Sequence, residues 1–83
     1  MTVDDAVRLI ASAVKDRDVT KALETAMWLE REVVNTSFKR AVIVVIAALR
    51  TVQTVNTPYT WSICDSAVRN LEKSFRSLYM RRP

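Results

Sequence analysis

Val3, Val7, Ile10 and Val14 recur at alternating steps of four and three, the spacing of one narrow apolar stripe on an α-helix. Thr2 stands where an N-cap belongs, and Asp4 and Asp5 fall in the first turn, where negative charge offsets the helix dipole. The mixed run Lys15-Asp16-Arg17-Asp18 predicts an end near Asp16. Asp18 can cap a second element, whose stripe runs through Val19, Leu23, Ala26, Met27, Val34, Phe38, Ala41, Val45, Ala48, Leu49 and Val52. Only Asn35-Thr36-Ser37 weakens it, so the pattern fits either one helix of about 37 residues or two helices broken near Asn35. A single rod would span ~55 Å, against a radius of gyration near ~12 Å for a compact chain of this size. One short helix on either side cannot cover such a rod, so this option requires a second chain.

Thr57-Pro58 reads as an N-cap followed by proline at the first helical position. Trp61, Cys64, Val68, Leu71, Phe75 and Leu78 then step by three and four, the seam of a packed helix that places Cys64 in the core. Between Ala41 and Leu49 the apolar residues surround the helix, with Ile43 and Ile46 facing away from the Phe38, Ala41, Val45 stripe. A helix that is apolar all round is buried all round. Ile43 and Ile46 are therefore the predicted dimer interface, although burial between the first and last helices of the same chain fits the same pattern. The predicted fold is all-α, a single domain over residues 1–83, built as an antiparallel helical bundle completed by dimerisation.

Composition agrees and narrows the chemistry. Glycine is absent and there are two prolines, which predicts helix almost throughout, no φ > 0 turns and no Gly-rich phosphate loop. With no histidine and one cysteine, zinc sites and histidine-dependent nucleophilic triads are excluded within one chain. The nine carboxylates all fit caps and solvated helix faces, so no catalytic residue, metal ligand or cofactor is predicted and the protein is read as a non-enzyme. The acidic start Met1-Thr2-Val3-Asp4-Asp5 is unlike a signal peptide. The longest apolar run, Ala41–Leu49, is far below the ~20 residues that span a bilayer. An intracellular, cytoplasmic protein with no membrane partner is the expectation.

Charge gives the chain a direction. Residues 1–32 hold five Lys/Arg and seven Asp/Glu, a net of −2, whereas residues 33–83 hold eight and two, a net of +6. The basic half is the candidate surface for a polyanion. Lys39 and Arg50 are eleven residues apart, close to three turns, so they point the same way about 16 Å apart. Arg40 lies beside them, and Arg69, Lys73 and Arg76 form a stripe on the last helix that Arg81 and Arg82 extend. Asp65 and Glu72 precede Arg69 and Arg76 by four residues, so ordinary i,i+4 pairing fits part of that stripe equally well. Lys39, Arg40, Arg50, Arg69, Lys73 and Arg76 are thus the candidate nucleic-acid contacts. The competing reading is a helical adaptor, viral or phage, that binds other proteins and whose positive charge is incidental.

The stretch Arg50-Thr51-Val52-Gln53-Thr54-Val55-Asn56-Thr57-Pro58, with Lys39 and Arg40 upstream, resembles the end of the long helix in the small double-stranded-RNA-binding silencing suppressors of insect nodaviruses. The resemblance covers residues 30–59. It implies an antiparallel homodimer with one face along an RNA duplex, Lys39 or Arg40 at the upstream basic position and Arg50 at the arginine before the proline. It also implies suppression of RNA silencing. The full amphipathic helix after Pro58 departs from that family, in which this segment is short.

Overall fold

A computed structural model describes residues 1–79; Arg81 and Arg82, the predicted extension of the basic stripe, lie outside the described residues. Four helices follow one another, α1 (Val3–Lys15), α2 (Val19–Glu32), α3 (Thr36–Thr54) and α4 (Pro58–Tyr79), joined by three-residue connections. Each helix packs on the next and α1 packs on α4, which closes an antiparallel four-helix bundle within one chain. The bundle measures 42 × 21 × 20 Å, with a radius of gyration of 12.0 Å. Closing the core therefore needs no second chain.

Each helix start has a side-chain acceptor for an otherwise orphaned amide. Thr2 Oγ1 accepts from the Asp5 amide at 3.0 Å, Asp18 Oδ1 from Lys21 at 3.1 Å and Asn35 Oδ1 from Phe38 at 2.9 Å. At α4, Thr57 Oγ1 accepts from the Thr60 amide while the Thr57 amide donates to Thr60 Oγ1, a reciprocal capping box with threonine in both roles.

Asn35 decides the question the pattern left open. Val33 and Asn35 adopt extended backbone and Asn35 caps a new helix, so the second stripe belongs to two helices. The break also frees the phase of α2 from that of α3. The buried face of α2 is Ala22, Thr25, Ala26 and Leu29. Of the predicted stripe, Ala26 belongs to this face and Val19 and Leu23 pack partly buried against the core, but Met27 is exposed and Val34, in the connection, is 94% exposed.

The expectation of no positive φ fails at one residue, Arg17, with φ of 59°. The Asp18 amide donates to the Ala13 carbonyl and the Arg17 amide to the Val14 carbonyl, which is the paired bonding of a Schellman C-cap. A three-residue link that satisfies the last carbonyls of α1 needs a left-handed residue, and with no glycine in the chain arginine fills the position.

The predicted seam of α4 is in the core. Trp61, Cys64, Val68, Leu71 and Phe75 are buried and Leu78 is half-buried. Phe38 of α3 meets Phe75 and Tyr79 of α4, with ring centroids 6.2 and 5.6 Å apart.

Ile46, one of the two predicted interface residues, is 8% exposed in the single chain and belongs to its core. Ala41, Val42, Val45, Ala48 and Leu49 join it there, so most of the all-round apolar run is buried between helices of the same chain. Only Ile43 (44% exposed), Val44 (50%) and Ala47 remain on the outside.

Candidate nucleic-acid interface

The outward face of α3 is made by Thr36, Arg40, Ile43, Val44, Ala47, Arg50, Thr51 and Thr54, all exposed. No carboxylate occurs anywhere in the helix, so its three cations have no acidic neighbour on their own element. Arg40 and Arg50 are ten residues apart, about 15 Å along the axis. They bracket the apolar residues Ile43, Val44 and Ala47. Lys39 is half-buried on the flank of the same helix.

The α4 cations are exposed as the sequence predicts, but their surroundings differ. A shallow cleft lined by Asp4, Val7, Arg8, Glu72, Phe75 and Arg76 puts Arg76 beside carboxylates of α1 and α4. Arg69 shares another with Lys15, Arg17, Asp65 and Glu72. Lys73 instead lines a cleft of about 420 Å³ with Asn35, Ser37, Phe38, Asn70, Ser74, Ser77 and Leu78, on the side of α4 next to α3. Arg40 and Arg50 thus stand on a helix without carboxylates and Lys73 lines a cleft without them, whereas Arg69 and Arg76 line clefts shared with α1.

Neither predicted i,i+4 pair forms. Among the described residues the ion pairs are Arg8–Asp4 at 3.2 Å and Arg17–Asp65 at 3.0 Å, so Asp65 reaches across the bundle in place of Arg69. None of the six candidate cations is in an ion pair within that set. Arg17 also donates to the Val14 carbonyl and lies 4.8 Å from the Trp61 ring centroid, a cation–π contact. It ties the α1–α2 turn to the start of α4.

Cys64, three residues after Trp61, is buried. Burial pushes its thiol above its ordinary pKa, the Asp65 carboxylate adds to the shift and Arg17 opposes it, so the group stays a neutral thiol at pH 7. Among the described residues no group of three or more histidine, cysteine, aspartate or glutamate side chains is placed to hold a metal ion. No helix among them is long and apolar enough to cross a membrane.

Comparison with family models, curated proteins and solved structures finds no match to this chain.

The charge pattern carries a further signal. No charged residue occurs between Arg50 and Asp65, fourteen positions that form the end of α3, the turn and the start of α4. This uncharged stretch is a signal of the charge pattern, distinct from the apolar periodicity that singles out residues 41–49.

Proposed function

We propose that this protein binds double-stranded RNA without sequence preference, as a homodimer, through the layer formed by α3 and α4. The observation that carries the reading is the carboxylate-free helix α3, whose Arg40 and Arg50 stand on one exposed face with no ion-pair partner among the described residues. Two arginines set about 15 Å apart along the axis of a rigid rod suit phosphate contacts along a duplex. Base reading is not supported, because the centre of that face is Ile43, Val44 and Ala47, which carry no hydrogen-bonding side chain. Shape, phosphate and 2′-hydroxyl contacts remain, the usual terms of duplex RNA recognition. Lys39 and Lys73 extend the surface, and Arg69 and Arg76 contribute at its edge. Shielding duplex RNA in the cytoplasm from silencing enzymes, the role implied by the resemblance to nodaviral suppressors, is the cellular consequence we propose with it.

The test is a titration of labelled random-sequence RNA duplex at two salt concentrations. Binding should weaken steeply with salt, and Arg40→Ala and Arg50→Ala should each flatten the salt slope by about 1. No binding at low salt, or binding indifferent to both variants, would overturn the reading. The second reading, a non-catalytic adaptor, is favoured by the exposed Ile43 and Val44; it predicts that Ile43→Ser abolishes capture of a protein partner while RNA binding is absent.

A further inference from the structure

We infer that the α2–α3 link is a hinge through which two copies of this chain exchange halves. In the exchanged dimer α2 and α3 fuse into one helix, and the α1–α2 half of each copy packs on the α3–α4 half of the other. The observation behind it is Val34, an aliphatic side chain left 94% exposed in a three-residue link. Val34 stands four residues before Phe38, which is buried with Ala41 and Val45 on the inward face of α3. Made helical, the link sets Val34 on that same face, as the next member of the interior stripe.

Of the three links, this one alone is free to join its helices. Pro58 bars fusion of α3 with α4, since inside a helix its ring meets the carbonyl four residues back and it has no amide to donate. The Thr57–Thr60 capping box and the bond from Thr60 Oγ1 to the Val55 carbonyl also hold that turn. The α1–α2 link is fastened by Arg17, whose side chain pairs with Asp65 and lies on Trp61, and by the two amides that cap α1. Val33-Val34-Asn35 has no proline and no positive φ. One side-chain bond, from the Phe38 amide to Asn35 Oδ1, marks the restart of the helix. In a continuous helix that amide finds the Val34 carbonyl instead.

The closed bundle fixes the partner. A fused helix over residues 19–54 is about 54 Å long and cannot fold back on itself, so opening parts α2 from α3 and α1 from α4. These are the two smaller of the four helix seams. The surfaces uncovered are the ones that fit each other in the closed chain, and a second opened copy offers the same two surfaces in reciprocal, two-fold exchange. Every helix seam is remade across the copies. The balance between one chain and two therefore depends on the hinge and on concentration. The outward face of α3, with Arg40 and Arg50, stays uncovered in both copies.

The exchange rests on the homodimer of the proposed function and not on its RNA binding, so two hinge variants of opposite effect test it. Sedimentation of the full chain, refolded at low and at high concentration, reads monomer against dimer. Val34→Pro breaks the fused helix but suits the closed link, because Val33 already has the extended backbone (φ −92°, ψ 133°) that precedes a proline. It should stay monomeric at every concentration, with helicity unchanged by circular dichroism. Asn35→Ala removes the cap that favours the closed form, at two hinges per dimer, and should raise the association constant roughly thirtyfold, the square of about fivefold for one N-cap. A dimer that survives Val34→Pro overturns the inference, as does a monomer at every concentration for both the parent chain and Asn35→Ala. Duplex RNA bound by a chain that never dimerises overturns the exchange and spares the RNA reading, whereas a hinge-dependent dimer that ignores RNA does the reverse.

Discussion

Arg17 shows what one residue can hold together in a chain without glycine. A left-handed backbone costs an L-residue about 1–2 kcal/mol, and at Arg17 the cation–π contact with Trp61 and the ion pair with Asp65 offset part of that strain. Both contacts are partly exposed, so each contributes modestly. The backbone and side-chain roles can be separated. Arg17→Ala removes the contacts and keeps the strain, whereas Arg17→Gly removes both. Urea unfolding should therefore find Arg17→Gly more stable than Arg17→Ala by about 1 kcal/mol; equal stability would mean that the left-handed turn is not retained in solution. The sequence named the run Lys15–Asp18 as the end of α1 and Asp18 as the next cap. It hid the strained residue between them, because a left-handed cap is usually announced by glycine or asparagine.

At the scale of the helix, the periodicity of α1 and α4 was legible because each carries a stripe of large residues between clear caps. The α2 helix was harder, since two of its four buried positions are Ala22 and Ala26, and alanine weighs little in an apolar count. The phase of α3 extended backward through Asn35 points to Met27, whereas the buried face of α2 holds Leu29. Their energies should differ accordingly. Leu29 is fully buried, so Leu29→Ala should cost about 2–5 kcal/mol in unfolding free energy, while Met27→Ala on the exposed side should cost under about 0.5 kcal/mol. Similar losses at both sites would mean that α2 is rotated from the orientation described. The same excess of apolar residues in 41–49 that suggests an interface is consumed by the chain's own core, because α3 is flanked by α2 and α4 and buries Ile46 as well as its main stripe.

For the whole molecule, fold class followed from composition and pattern, but the division of labour between its surfaces did not. Which cations have carboxylate neighbours depends on packing: Arg76 shares a cleft with Asp4, and Asp65 meets Arg17, only once α1 lies on α4. Three of the four helix–helix contacts join consecutive helices through three-residue turns. The fourth, α1 on α4, joins the most distant parts of the chain: Arg17 and Asp65 are 48 residues apart in sequence, and bringing them together closes the longest loop. We predict that this seam closes late in folding, after the rate-limiting barrier. A contact made late acts as a latch on the finished protein: stopped-flow measurements should find that Asp65→Ala hastens unfolding and leaves the refolding rate nearly unchanged, and a slowed refolding limb would move the latch into the nucleus. The side chain that bridges the first turn and the last helix would then govern how long a folded molecule lasts, and hardly at all how fast one is made.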